Sequence, residues 1–189
     1  MRLLHRLVSV TDSKNIFPEY QSTPIGRLIE YHNLARPHDT FQRAELLIGM
    51  CMDNRKHLHI PDNFAFIIRT GGANLRYSEF KVSYAIAVGG VSAIALIGHT
   101  ECGMVNLIDR KEQFIRGLVE RAGWAPQAAE DHFHQFAPRF EIGNEIDFVL
   151  SEAKRLRLRY PRIQVGPMIY NVQDNLLCLL NETDESRSL

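Results

Sequence analysis

The chain has 189 residues, 45% of them hydrophobic, and carries 22 Lys plus Arg against 22 Asp plus Glu. That length fills one hydrophobic core. The even charge balance leaves no basic surplus to draw the protein to nucleic acid or to an acidic membrane surface, so a small-molecule substrate is the better expectation.

No apolar run approaches the roughly 20 residues of a membrane helix, the longest being broken by Gly89, Gly90 and Gly98. The opening MRLLHRLVSV lacks the long apolar region and small-residue cleavage site of an export signal. It reads instead as an amphipathic helix packed on the body or on a partner subunit, so residues 1–40 are expected to form a helical arm before one globular α/β unit over 41–189. Three cysteines at spacings that suggest no disulfide framework point to a reducing compartment, by default the cytoplasm.

In chain order, residues 23–34 have helical periodicity, and ELLIGMC closes at Cys51 as a short, almost continuous apolar run. FAFII (64–68) and AIALI (93–97) are two more such runs, which suit parallel strands buried on both faces. Between them, Phe80, Val82, Tyr84, Ala85 and Val88 recur at helical spacing behind Ser78 as a cap, completing a βαβ unit. Residues 113–122 and 144–158 are further helices, the second with Ile146, Val149, Leu150 and Ala153 on one face. The stretch 123–138 is the least periodic and reads as a helical excursion or lid. Residues 162–172 form a fourth strand, Gln173-Asp174-Asn175 a tight turn, and LLCLL (176–180) an antiparallel edge strand, while NETDESRSL is expected to fray. The fold class is α/β and Rossmann-like: a mostly parallel central sheet of four strands plus an antiparallel edge strand, flanked by helices.

Two clusters carry chemistry: Cys51-Met-Asp53-Asn-Arg55 after the first buried strand, and His99-Thr-Glu-Cys102 after the third. Both lie at the carboxyl edges of parallel strands, where open α/β sheets place their ligand crevices. Two thiolates and one imidazole match the three-protein-ligand pattern of catalytic zinc with one position left to exchange. A structural zinc site would more often bring four Cys or His ligands, and a redox role lacks a Cys-x-x-Cys pair.

The texts CMDNR, IIRTGGAN and GHTECGM resemble the β-class carbonic anhydrases, closely over about residues 42–104 and more loosely over the carboxyl-terminal strands. The resemblance implies a zinc ion held by Cys51, His99 and Cys102, an Asp53 and Arg55 pair beside it, and reversible hydration of carbon dioxide to bicarbonate and a proton. It implies that Asp53 becomes a fourth ligand in a closed state when Arg55 releases it, that Gln42 hydrogen-bonds substrate from a neighbouring subunit, and that the protein is a homodimer or higher homo-oligomer. The apolar amino terminus and the 78–88 helix add sequence support for assembly. Thr70, Asn54 and a shortened loop containing His57 and His59 depart from the family's usual pattern.

The residues support that chemistry on their own terms. Two thiolates cancel the formal charge of zinc, so its water is acidified less than in a tri-histidine site and neighbouring groups must help. Asp53 can accept a hydrogen bond from the nucleophile, a zinc-bound hydroxide, while Arg55 fixes the carboxylate through a bidentate contact that lysine cannot reproduce. Activity is then expected to rise with pH. The zinc ligands alone do not separate carbon dioxide from carbonyl sulfide or carbon disulfide, and a catalytically silent zinc-containing binding or regulatory protein is the alternative of a different class. His57, His59, His132 and His134 read as solvated histidines.

Overall fold

The computed structural model describes residues 6–182. Six strands, β1 (Leu7–Ser9), β2 (Leu46–Cys51), β3 (Ala65–Thr70), β4 (Ala93–His99), β5 (Gln164–Asn171) and β6 (Leu176–Leu180), form one sheet in the order β1-β6-β5-β4-β2-β3. β2 to β5 run parallel, β6 pairs antiparallel with β5, and β1 pairs antiparallel with β6. The expected α/β architecture is present with one strand more than its apolar runs indicated.

That extra strand corrects the reading of the amino terminus. Where an amphipathic helix was expected over MRLLHRLVSV, Leu7–Ser9 instead pairs antiparallel with β6, Leu7 opposite Leu180 and Ser9 opposite Cys178; residues 1–5 of that segment lie outside the described residues. The open edge of β6 supplies a complete set of hydrogen-bond partners, and three residues are too few for a helical turn to compete. Farther along, α1 (Pro24–Asn33) starts on Thr23, whose hydroxyl accepts from the Gly26 N–H, with Pro24 at the first helical position. Val10, Ile16, Tyr20, Ile25, Leu28 and Ile29 share one core cluster with Leu46, Ile48 and Met50 of β2. The amino-terminal segment is thus built into the body of the molecule.

Alternation along the strands divides the interior into two layers. Ile48, Met50, Ala95 and Ile97 face α1, whereas Leu47, Ile94 and Leu96 face α2 (Glu79–Ala87) and α5 (Glu145–Arg159). Both sheet faces are therefore covered, which is why these strands read as continuous apolar runs. Ser78 does not cap α2 through its side chain; a single 3-10 turn, Arg76–Ser78, leads directly into the helix. Asn144 does cap α5, accepting from the Asp147 N–H at 2.8 Å. Gly98 lets α5 lie close to β4, since a Cβ there would stand 2.6 Å from Val149 Cγ2 and 3.0 Å from Ile169 Cδ1.

α3 (Lys111–Ala122) and α4 (Pro126–Phe140) follow β4. The excursion expected over 123–138 is thus a helix, opened by Pro126 at its first position and burying Ala129, Phe133 and Ala137. The chain passes from β2 to β3 on one side, then crosses over to β4 on the other side of β2. The loops leaving β2 and β4 consequently diverge, and a crevice opens between them at the carboxyl ends of the two strands.

Candidate metal centre

Register brings the two sequence clusters together. Met50 pairs with Ile97, so Cys51 and His99 lie one and two residues beyond that pair on adjacent strands. A turn containing Glu101 in the left-handed region (φ 59°) then carries Cys102 back over the strand ends. The ligand atoms of Cys51, His99 and Cys102 lie within 4.8 Å of one another, and all three residues are buried. Donors on a tetrahedral zinc about 2.3 Å from sulfur and about 2.0 Å from nitrogen stand about 3.5–4 Å apart, so this spacing suits such an ion.

The histidine supplies an independent test of fit. His99 Nδ1 lies 2.9 Å from the Thr100 carbonyl oxygen. A carbonyl only accepts, so Nδ1 carries the proton and Nε2 presents its lone pair. Nε2 is fully buried and makes no hydrogen bond. A buried nitrogen aimed at two sulfurs and left without a partner costs about 1–3 kcal/mol unless something occupies the space between them. The residues present fit a soft divalent metal.

The sulfurs are held on several sides. The Cys102 thiol holds the Cys51 pKa well below the ordinary thiol value, and the backbone N–H groups of Asp53 and Gly72 add to the effect. The resulting Cys51 thiolate pushes the Cys102 thiol up. The Cys102 N–H donates to Glu145 Oε1 at 3.0 Å, tying the turn to the first residue of α5. Gly72, at φ 62°, lets the backbone after β3 turn its N–H toward Cys51. Ile142, Met104, Val105 and Phe148 close the apolar wall around the sulfurs.

Asp53 stands beside this cluster. Arg55 donates to it from Nε (3.1 Å to Oδ1) and Nη2 (2.9 Å to Oδ2), and the Arg55 backbone N–H donates to Oδ1 at 2.9 Å. These contacts hold the carboxyl well below the usual carboxylate range. Arg55 is tied down in turn by the Glu101 carboxylate and carbonyl, each at 3.1 Å. Asp53 Oδ2 lies 3.9 Å from His99 Nε2, so the carboxylate borders the cluster.

Gln42 is exposed and is not brought to this cluster within the chain. His59 donates its backbone N–H to His32 Nδ1, and the two rings stack at 5.6 Å. His132 lies in α4 among Phe114, Trp124 and Phe136, and His134 lies 3.5 Å from Glu130.

Two features escaped the sequence reading. Lys56 is completely buried, its Nζ 3.2 Å from the Asp53 carbonyl oxygen and 3.7 Å from Asp53 Oδ1. A lysine after a strand ordinarily reads as solvated, so its pattern gave no signal. An apolar cavity of about 280 Å³ also opens beside the metal cluster, lined by Met52, Gly71 and Met104 at one end and by Phe133, Phe136 and Phe140 of α4. The signal was present in the aromatic spacing of α4, obscured by two interleaved histidines.

The family model described as carbonic anhydrase matches residues 47–165, well over half of the chain. The chain belongs to the β-carbonic anhydrase family. Among solved structures, the β-carbonic anhydrase isoform I of Trichomonas vaginalis superposes with a TM-score of 0.61 at 16% identity, over 79% of this chain and 91% of that one. The carbonic anhydrase of Streptococcus mutans gives 0.58 at 21% identity, over 78% and 89%. A carbon disulfide hydrolase in its apo form gives 0.53 at 18% identity, over 91% and 95%. At these identities the likeness is one of fold. No curated protein sequence matches the chain.

Proposed function

We propose that this family member is a zinc enzyme that hydrates carbon dioxide reversibly to bicarbonate and a proton, with Cys51, His99 and Cys102 as the zinc ligands. The observation that carries this reading is the buried, unpartnered His99 Nε2 facing two cysteine sulfurs beside an arginine-clamped carboxylate. When bound there, zinc supplies the Lewis acidity that makes a water nucleophilic near neutral pH.

The protein's own groups do the rest. Asp53, kept ionised by Arg55, can only accept a hydrogen bond, so it takes one from the attacking water or hydroxide and thereby turns an oxygen lone pair of that nucleophile toward the substrate carbon. The cavity beside Met104 is walled mainly by apolar side chains, with His132 as its one titratable lining residue, and so suits a neutral, linear substrate. Glu101, hydrogen-bonded to both Arg55 and Gln173, keeps the guanidinium oriented. Gln42 would reach substrate only from a neighbouring subunit, and a homo-oligomer belongs to this proposal. Among the described residues no helix is long and apolar enough to cross a membrane; three free, buried cysteines suit the reducing cytoplasm.

One observation favours a second reading. A cavity of about 280 Å³ walled by phenylalanine and methionine has room for carbonyl sulfide or carbon disulfide, which the same residues would hydrolyse. Metal analysis with stopped-flow carbon dioxide hydration, run beside consumption of the two sulfur compounds, separates these readings. A chelator-sensitive carbon dioxide rate is expected. Faster turnover of the sulfur compounds would select the second reading, and zinc without turnover of any of the three would leave a silent binding protein.

A further inference from the structure

Lys56 is an anomaly that the hydration chemistry leaves unused. Its side chain is wholly inaccessible to solvent, and a buried ammonium costs several kcal/mol unless its charge is met. Asp53 lies beside it: Nζ donates to that residue's carbonyl oxygen at 3.2 Å and lies 3.7 Å from Oδ1. The other charges around it are the Cys51 and Cys102 sulfurs and the Arg69 guanidinium, which donates to the Lys56 carbonyl oxygen at 3.2 Å.

The two oxygens of Asp53 have different surroundings. Oδ1 receives the Arg55 backbone N–H and Nε and faces Lys56, whereas Oδ2 receives Arg55 Nη2 and lies 3.9 Å from His99 Nε2. A small rotation would take Oδ2 into the space a metal would fill. Two cations oppose that rotation, and they differ in strength. The Arg55 side chain is 44% exposed and divides its donors with Glu101, so water and salt weaken its hold. Lys56 acts from the interior, where screening is slight.

We propose that Lys56 is a positioning residue that keeps Asp53 off the metal, leaving the exchangeable coordination position to water and substrate. This inference rests on the metal-site reading above. Its test is thiocyanate titration of the cobalt(II)-substituted protein, followed by visible absorption, which reports access to the metal without turnover.

In Lys56→Met the apparent thiocyanate affinity is expected to fall about tenfold or more as Asp53 takes the open position, and in Lys56→Met/Asp53→Asn it is expected to recover to within about threefold of the starting protein. Lys56→Gln, which keeps a donor but removes the charge, is read in the same way should the methionine variant fail to fold. Unchanged affinity in the folded single variant overturns the proposal. So does a loss that the second substitution does not restore, because the lysine would then act through general electrostatics or packing. Failure of the unaltered protein to bind cobalt at all would instead remove the metal-site reading, and the inference with it.

Discussion

Asp53 and Arg55 make the sharpest residue-scale claim, because their worth depends on geometry and not on charge alone. Asp53→Ala is expected to lower the carbon dioxide hydration rate about 100-fold or more with metal content unchanged. Arg55→Lys, which replaces the two-pronged contact from Nε and Nη2 by a point charge, is expected to cost about 10–100-fold. Equal rates in all three proteins would remove the carboxylate from the chemistry. A different residue governs alkaline stability. Burial, with Glu182 nearby, raises the Tyr20 pKa to about 12. Below about pH 10 the phenol is neutral in both folded and unfolded chains; between about 10 and 12 only the unfolded chain ionises, so stability is lost across that window by up to about 2–3 kcal/mol. Urea unfolding at pH 9 and 11.5 is expected to show a smaller decline in Tyr20→Phe than in the unaltered protein. At this scale the cluster of Cys51, His99 and Cys102 was legible because strand ends and short spacings leave a mark in sequence. Lys56 was not, since burial of a single loop lysine is decided by tertiary contacts alone.

Among the elements, β2, β4, β5 and β6 could be read because strands covered on both faces must be apolar at nearly every position, and β3 because its apolar run persists although its side chains stay partly exposed. β1 could not, because three residues carry no usable period and its pairing with Leu180, Leu179 and Cys178 spans nearly the whole chain. The aromatic wall that α4 gives the cavity was obscured for a related reason: which face of a helix meets a distant loop is set by packing. Packing also makes Gly98 a test of how closely α5 must lie to β4. Any side chain there would meet Val149 and Ile169 at less than ordinary contact distance, and the neighbours are buried branched residues with little room to yield. Gly98→Val is expected to destabilise the fold by about 1–3 kcal/mol, lowering Tm by about 2–10 °C. Because Gly98 directly precedes His99, metal affinity is expected to fall as well. A Tm and a zinc affinity both unchanged would show that the helix and strand can separate at no cost.

At the level of the whole molecule, the two ends of the sheet are treated differently. β1 closes the β6 end, whereas β3 ends the other side with no further strand beside it among the described residues. That end is also apolar on its surface. Phe80 is 82% exposed, Val88 67% and Tyr84 52%, and Phe80 and Tyr84 with Phe66 and Ile67 of β3 flank a groove of about 290 Å³ between α2 and the edge strand. A parallel sheet with an open edge and a greasy helix beside it is an aggregation hazard unless it is covered. A second copy of the chain related by a two-fold axis covers it economically, because the same residues then serve both sides of the contact. This geometry is the molecular-scale argument for the proposed homo-oligomer, and it predicts where a charge will break the assembly. Phe80→Glu is expected to shift the protein from dimer to monomer in analytical ultracentrifugation and to abolish the rise of Tm with protein concentration that an obligate dimer shows. A substitution at a charged position toward the β6 end of the sheet, Arg157→Gln, is expected to leave the oligomeric state unchanged. Should Phe80→Glu sediment like the unaltered protein, β3 and α2 are not the contact. Activity then adds a second readout: if Gln42 acts across the interface, monomeric Phe80→Glu loses hydration rate while retaining its zinc.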